Sequence, residues 1–284
     1  MKRKLIILFL LLTSELFTFA QQSRTLFFMH ELAQSNYVNP AIQPRCKVFL
    51  GVPLLSSTYI NASSTGFSYH KLSPGSRNFD ASKLVQGLQG ISYLTGEAHL
   101  NILAIGIKHN DFYFSFNIAE KVNATAYYPK SIAEVATKGN DHLVGKTLTT
   151  TGLGVSAFHL REYSLGVAQE VDWNYKWGIR GKLLFGKSNI ASKKSGISLT
   201  TEQESYDLLA SWEYQISTSL PLSIPSIEPF DILSLRLENI NPLNYLFNSR
   251  NVGLAFDMGF VYLSDHLTWS GSIIDAGAIL WRSE

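Results

Sequence analysis

Charged side chains on neighbouring candidate strands are the residues of this sequence best placed to act together chemically. They are Glu162, Glu170, Asp172, Arg180, Lys182 and Glu213. Because opposite charges on adjacent strands pair favourably, the two cations are predicted to meet the carboxylates of Glu170 and Asp172 across a hairpin. Such a cluster can neutralise itself and hold the strands together, or it can bind a polar ligand. The sequence favours the first interpretation and leaves the second open.

Histidines are the other residues that could carry chemistry, and none is spaced to share a metal ion with another. The seven are His30, His70, His99, His109, His142, His159 and His266. No nucleophile elbow G-x-S-x-G, phosphate-binding glycine loop or zinc motif H-E-x-x-H occurs in the chain. A serine hydrolase that uses a strand histidine such as His159 is the alternative. The sequence therefore predicts no enzyme, no cofactor and no metal site.

The first twenty residues are typical of a secretory signal peptide. Basic residues at positions 2–4 precede an unbroken apolar run at 5–12, and Ala20 closes a cleavage site with small residues. The mature chain is predicted to begin at Gln21. An uncleaved anchor helix is the alternative, which Glu15 disfavours.

Charge and cysteine content narrow the class of partner. The chain has 24 Lys and Arg and 22 Asp and Glu, and the leader's three basic and one acidic residue leave 21 of each after cleavage. A formally neutral mature chain gives no electrostatic case for a nucleic-acid partner. The single cysteine, Cys46, excludes a disulfide within the chain, and we expect it to be a small buried apolar residue.

Composition indicates membrane strands rather than membrane helices. Hydrophobic residues make up 45% of the chain and aromatic residues 12%, whereas charged residues make up only 16%. Charged residues normally supply about a quarter of a soluble domain. No apolar run after the leader approaches the roughly 18 residues that a membrane helix needs.

Apolar and polar residues alternate with period two along several stretches, and this pattern places the charged residues on one face of the predicted strands. Large apolar side chains at Phe112, Phe114 and Phe116 share one strand face, and a run from Leu254 to Tyr262 repeats the pattern. Glycine, small polar residues and charges occupy the other face. These runs are about ten residues long, as a tilted membrane-crossing strand requires, whereas strands of soluble sheets are usually nearer five or six.

The predicted fold is all-β, an antiparallel transmembrane β-barrel with short helical insertions such as Lys130–Lys138. The charged residues named above then face the lumen. Trp173, Tyr175 and Trp177 bracket a tight turn and are predicted to lie in an aromatic girdle at the lipid–water interface. A half-buried sheet of a soluble secreted protein is the alternative.

The polar, proline-rich stretch QSNYVNPAIQP (34–44) follows the leader. Pro40 fixes the backbone, and Asn39 can bond to neighbouring backbone, so Asn39-Pro40-Ala41 is predicted to turn the chain from a lumenal plug into the first wall strand. The predicted organisation is a signal peptide at 1–20, a plug segment at 21–45 and a barrel at 46–284.

Two segments resemble a known family. VNPAIQP (38–44) resembles the Asn-Pro-Ala segment of FadL-type outer-membrane barrels, and the stretch from Asn251 to Trp281 resembles their PorV-like relatives in Bacteroidota. The resemblance implies an outer-membrane barrel with a lumenal N-terminal plug. It also implies roughly fourteen strands, and the sequence offers ten or eleven, so the barrel is expected to be incomplete at the C-terminus.

The resemblance implies two functions. FadL-type members pass hydrophobic molecules, so the first expectation is passive transport or binding of hydrophobic small molecules at the cell outer membrane. PorV-type members serve type IX protein secretion and surface attachment, so the alternative is a barrel that acts through its loops. Expected partners are outer-membrane lipid, a hydrophobic ligand, or a secretion or surface protein.

Overall fold

A single antiparallel sheet dominates the computed structural model, which describes residues 24–29, 32–53, 56–66, 85–88, 90–219 and 242–282. The sequence-based prediction of an all-β fold is confirmed, while the expected signal peptide lies outside the described residues. The ten strands are β1 (Val48–Gly51), β2 (Thr58–Ser64), β3 (Ile91–His109), β4 (Phe112–Pro129), β5 (Thr147–Thr151), β6 (Gly154–Glu170), β7 (Tyr175–Thr201), β8 (Leu208–Thr218), β9 (Asn251–Leu263) and β10 (Thr268–Ile279).

Helical elements are short. They are α1 (Arg24–Phe28), a 3₁₀ turn (Ala33–Tyr37), α2 (Lys130–Lys138), a second 3₁₀ turn (Asp141–Leu143) and α3 (Pro242–Leu246). The predicted helix at Lys130–Lys138 is present, and it ends at Gly139, whose φ of 78° suits glycine. Within the described ranges, every helix is too short or too polar to cross a membrane.

The strand order is β1-β3-β4-β6-β7-β9-β10. β2 continues the β1 edge of β3, and the 27-residue β7 carries β6 and β5 along one edge and β9 and β8 along the other. Among the described strands, the first and last of this order do not pair, so the sheet is open. Tight turns at 110–111, 171–174 and 264–267 connect strands at one end of the sheet.

The sheet curls strongly about one face. Four strand-to-strand steps separate β4 from β10, which is about 19 Å across a flat sheet at ~4.8 Å per step. Nevertheless, Lys121 of β4 and Asp275 of β10 lie 3.1 Å apart, from Nζ to Oδ1. Two side chains cannot span a flat sheet of that width, so their shared face is concave. This concave face is called the inward face below, and its opposite the outward face.

Burial on the two faces is inverted relative to a soluble sheet. On β9, the inward residues Ala255 and Asp257 are buried, whereas the outward residues Leu254, Phe256 and Met258 are exposed. The same alternation runs along β4, β6 and β7. The sequence therefore predicted correctly which residues share a face. The charged and small face is the buried one.

Several strand boundaries predicted from the sequence are wrong: β3, for example, is predicted to begin at Leu100 and begins at Ile91. Two of the errors fall at polar stretches. The alternation predicts separate strands at Leu148–Leu160 and Glu162–Trp173. Instead, β6 runs through Arg161 because neighbouring strands neutralise the charges there: Arg161 pairs with Glu120, and Glu162 with Lys121. The sequence also predicts two strands at Lys176–Asn189 and Gly196–Thr201, but β7 continues through 190–195 with a bulge against β8. Both polar stretches are tolerated because flanking strands satisfy their backbone.

Cys46 is exposed rather than buried, which corrects the sequence-based expectation. It lies on the short link between a docked N-terminal segment, which ends in buried residues up to Pro44, and strand β1. The link passes over the surface, so no core position is available to the thiol.

Candidate functional site

The predicted plug turn lies on the inward face of the sheet. Asn39 and Ala41 are 0% exposed. The Asn39 side-chain amide donates to the carbonyl of Phe260 at 3.1 Å and to Oγ of Ser270 at 3.0 Å, and its Oδ1 accepts the backbone N–H of Ala41 at 2.9 Å. Asn39 thereby holds the turn together and ties it to β9 and β10.

Two glycines make room for this turn. A Cβ at Gly178 of β7 would collide with the backbone of Pro40, and one at Gly259 of β9 would collide with Oδ1 of Asn39. These glycines face each other across the β7–β9 ladder. The inward face of the sheet therefore has room for the backbone of the N-terminal segment at these two glycines.

Arg180 of β7 connects the N-terminal segment to the sheet through charged hydrogen bonds. Its Nη2 donates to the carbonyl of Asn36 at 2.6 Å and also to Asn36 Oδ1, while its Nη1 donates to Asp257 Oδ2 at 3.1 Å. The ring of Tyr37 lies 6.0 Å from the guanidinium. Burial raises the pKa of Tyr37 to about 12, so its phenol stays neutral at physiological pH.

The centre of the inward face is an ion cluster built from five strands. Lys182 Nζ lies 2.7 Å from Asp257 and 2.6 Å from Asp275. Lys121 Nζ lies 2.7 Å from Glu162 and 3.1 Å from Asp275. With Arg180, the cluster has three cations and three carboxylates: Lys121, Arg180 and Lys182 against Glu162, Asp257 and Asp275. It is self-neutralising, the arrangement that burial of charges requires.

Asp275 reaches the cluster through a bulge. The β9–β10 register shifts between Ile273 and Ala276, and Asp275 has a φ of 57°, in the left-handed region. Its backbone N–H donates to Asp257 Oδ1 at 2.8 Å. A bulge re-aims side chains and increases local twist, and here it accompanies a carboxylate directed at two lysines.

Two adjoining cavities flank the ion cluster. One, of about 330 Å³, lies against the N-terminal segment at Tyr37 and Val38. The other, of about 460 Å³, has a largely apolar wall formed by Phe158, Leu160, Leu184, Ile279 and Trp281. His99, Lys121, Glu162 and Asp275 line both cavities. The interior thus offers apolar surface next to a compact polar centre, which suits an apolar or amphiphilic guest.

The structure brings three of the six predicted charged residues together: Glu162, Arg180 and Lys182. The predicted cross-hairpin pairs do not form, because the register places Lys176 opposite Glu170 and Gly166 opposite Arg180. Glu170 instead contacts Lys108 at 2.8 Å and Lys176 at 2.5 Å.

The remaining two predicted charges lie away from the cluster. Asp172 is exposed in the β6–β7 turn, where its Oδ1 accepts the backbone N–H groups of Asn174 and Tyr175. Glu213 lies on β8, with its side chain 80% exposed and 3.9 Å from Lys194. Neither can contribute to the interior electrostatics at these positions.

Sequence reasoning missed half of the cluster: Lys121, Asp257 and Asp275. A local signal existed for Asp257, because it alternates with the small residues Ala255 and Gly259 on the face that proved to be inward. Lys121 carries the same local signal, because it follows Asn117 and Ala119 on the inward face of β4. Its contact with Asp275 has no local signal, since only the curl of the sheet brings β4 and β10 together.

The predicted aromatic residues lie at the end of the sheet that carries the tight turns. Trp173 and Tyr175 are exposed, and Trp177 is half-buried, with Nε1 donating to Gln169 at 3.2 Å. Strand register places Tyr262 beside Tyr175 and Trp269 beside Tyr262, all on the outward face. The exposed aromatic residues at this end of the sheet, Trp173, Tyr175, Tyr262 and Trp269, are called the aromatic rim below.

No group of three or more His, Cys, Asp or Glu among the described residues is arranged to hold a metal ion.

On the outward face, His159 hydrogen-bonds Glu120 through Nε2 at 3.0 Å and the hydroxyl of Tyr245 through Nδ1 at 2.7 Å. The hydrogen-bond partner of His159 Nδ1 is thus a phenol. The serine of this cluster, Ser188, contacts Tyr245 at 3.2 Å.

Comparison with models of protein families identifies a match. The model of a family of unknown function, DUF5723, matches residues 40–284, which are most of the chain and include all ten described strands. No curated protein and no solved structure matches the chain.

Proposed function

We propose, from the premise that the chain belongs to the DUF5723 family of unknown function, that it forms the wall of an outer-membrane β-barrel of the FadL/PorV-like kind. In this proposal the signal peptide exports it, and its interior binds hydrophobic small molecules and lets them pass without energy input. The observation that carries the proposal is the inverted burial of the sheet. Catalysis and a cofactor are not part of the proposed role.

The inversion is large for individual side chains. Leu165 and Leu254 are 69% and 68% exposed on the outward face, while Asp257 on the inward face is 1% exposed. An antiparallel sheet in water buries its apolar face and solvates its polar one. In a bilayer the preferences reverse, because lipid solvates the apolar side chains and the lumen encloses the charges.

The height of the apolar band agrees with a bilayer. On β7 its outward side chains run from Tyr175 to Phe185, a span of ten residue steps. At ~3.3 Å per residue this is about 33 Å along the strand, and a tilt of ~40° reduces it to about 25 Å. That height equals the apolar band of outer-membrane barrels.

Membrane contact is tested by placing a charge on the outward face. We expect Leu165→Arg to lower the free energy of unfolding in lipid vesicles by about 2–3 kcal/mol, because arginine is costly at mid-bilayer depth. Leu209→Arg is the matched control, since Leu209 is also exposed but lies on β8, beyond the band. Urea titration in vesicles measures both. Equal free energies of unfolding of the two variants would contradict the proposed membrane location of the sheet.

Ligand binding is tested by filling the cavity beside the N-terminal segment. Ala119 lines the cavity of about 330 Å³ and is buried. We expect Ala119→Phe to reduce copurified apolar molecules several-fold, because the ring occupies the space a guest would need. Mass spectrometry of the extracted lipid fraction measures this, with Ala126→Phe as control because Ala126 is exposed on the opposite face of the same strand.

Two outcomes of that measurement count against hydrophobic binding. One is a wild-type chain that carries no apolar molecule beyond its detergent, and the other is an Ala119→Phe variant that carries as much as wild type. Either outcome would favour the second candidate function.

The second candidate is protein secretion or surface attachment through the parts of the chain beyond the band. β8 pairs with the far half of β7 and is exposed on both faces along most of its length. Its exposed side chains include Leu208, Leu209, Trp212 and Ile216. Apolar surface of this kind suits a protein partner, and capture of a secreted or surface protein by a chain with no bound lipid would support it.

A further inference from the structure

The segment 242–250, called the collar below, packs on the outward face of the sheet and contains α3. The hydroxyl of Tyr245 bonds Nδ1 of His159 at 2.7 Å and Oγ of Ser188 at 3.2 Å. The carbonyl of Asn248 accepts from Lys187 Nζ at 2.9 Å. These contacts fix the polar side of the collar to β6 and β7.

The collar lies at the border of the apolar band. On β6 the outward residues run Val167, Leu165 and Tyr163, and the next two outward positions are Arg161 and His159, which contact the collar. On β7 the apolar outward run that begins at Tyr175 ends at Phe185, and the next outward position is Ser188, opposite His159. The ring of Phe185 packs edge-on against Tyr163 at 5.6 Å between ring centroids. The collar therefore begins where the apolar band ends, at the end opposite the aromatic rim.

The other side of the collar is apolar and exposed. Phe247 is 69% exposed and lies 5.8 Å from the Arg161 guanidinium, and Leu246 is also exposed. The segment thus has polar contacts that bond it to the sheet and apolar side chains that are exposed beside the edge of the band. A short amphipathic segment with this division suits the interface plane of a bilayer.

We propose that the collar is an interfacial anchor that inserts Leu246 and Phe247 at the boundary between lipid headgroups and acyl chains. This inference rests on the proposed membrane location of the sheet. Lipid fits better than a protein partner for two reasons. The collar covers the polar residues Arg161 and His159 at the edge of the apolar band, and the aromatic rim marks the opposite boundary about 25 Å away, as a bilayer requires.

Spin-label depth measurement tests the anchor. Cys46 is the only cysteine, so Cys46→Ser gives a background in which a single nitroxide can be placed. Three labelled variants are compared in lipid nanodiscs: Phe247→Cys in the collar, Leu254→Cys within the band, opposite Leu183 of β7, and Leu209→Cys on β8. All three sites are exposed, so the substitutions remove little packing. Collision rates of each nitroxide with dissolved oxygen and with a water-soluble nickel chelate give its depth.

We expect the label at 247 to report a depth between those at 254 and 209. A value equal to that at 209 would put the collar in water, and a value equal to that at 254 would put it in the hydrocarbon core; either overturns the anchor. If the label at 254 itself is as accessible to the nickel chelate as that at 209, the proposed membrane location fails and the anchor fails with it. The two failures are therefore distinguishable.

Discussion

Replacing Asp257 by leucine is expected to lower the free energy of unfolding by about 3–5 kcal/mol, the range for removing one partner of a buried ion pair. Asp257 is buried and contacts both Arg180, at 3.1 Å, and Lys182, at 2.7 Å. Without it, two buried cations face only the remaining carboxylates. The backbone N–H of Asp275 also loses its acceptor at 2.8 Å. Burial of uncompensated charge makes the loss large.

Denaturant unfolding in detergent micelles measures the effect. Glu213→Leu is the matched control, because it removes a carboxylate whose side chain is 80% exposed and makes only a 3.9 Å contact with Lys194. We expect that control to change stability by less than about 1 kcal/mol. The double variant Arg180→Met, Asp257→Leu should recover part of the loss, since it removes both charges of one pair. Similar losses in Asp257→Leu and Glu213→Leu would contradict the importance of the ion cluster.

Valine at Gly178 is expected to displace the N-terminal turn from the wall. A Cβ there collides with backbone atoms of Pro40 and Ala41, which a side-chain rotation cannot relieve. The docked turn would have to move, which breaks the contacts of Asn39 with β9 and β10. We expect a cost of about 3 kcal/mol, at the upper end of the usual overpacking range.

A nitroxide on Cys46 reports this displacement directly, because the thiol is exposed and lies just after the docked segment. We expect its spectrum to change from restricted to rapid motion in Gly178→Val. Gly181→Val is the control on the same strand, since a Cβ at Gly181 meets no atom within 4 Å. An unchanged spectrum in Gly178→Val would show that the close approach of Pro40 does not hold the segment in place.

Sequence alone was enough to assign the faces of the strands. The alternation around Leu254 to Tyr262 predicts a strand from Asn251 to Leu263, which are the ends of β9, because period-two patterning is local and polar residues at 248–250 and a tight turn at 264–267 bound it. The same reasoning placed α2 at Lys130–Lys138. It also identified Asn39-Pro40-Ala41 as an ordered turn, since proline and asparagine restrict the backbone wherever they occur.

Strand continuity was predicted less well for a physical reason. The sequence predicts that a strand ends at charged residues such as Arg161. A strand nevertheless continues through charged residues when neighbouring strands supply partners of opposite charge. That partner for Arg161 is Glu120, about forty positions earlier in the chain. Nothing in the residues next to Arg161 reveals it.

Which charged side chains meet on the inward face was decided by the tertiary structure. Sequence determined that Lys182 and Asp257 belong to the polar face of their strands, because a side chain's face depends only on its own strand. It could not determine that Lys121 meets Asp275, because that contact depends on the register of four ladders and on the curl they produce together. The same curl creates the concave surface that receives Asn39. Curvature accumulates over all the pairings of a sheet, so only the folded sheet as a whole specifies which charges meet.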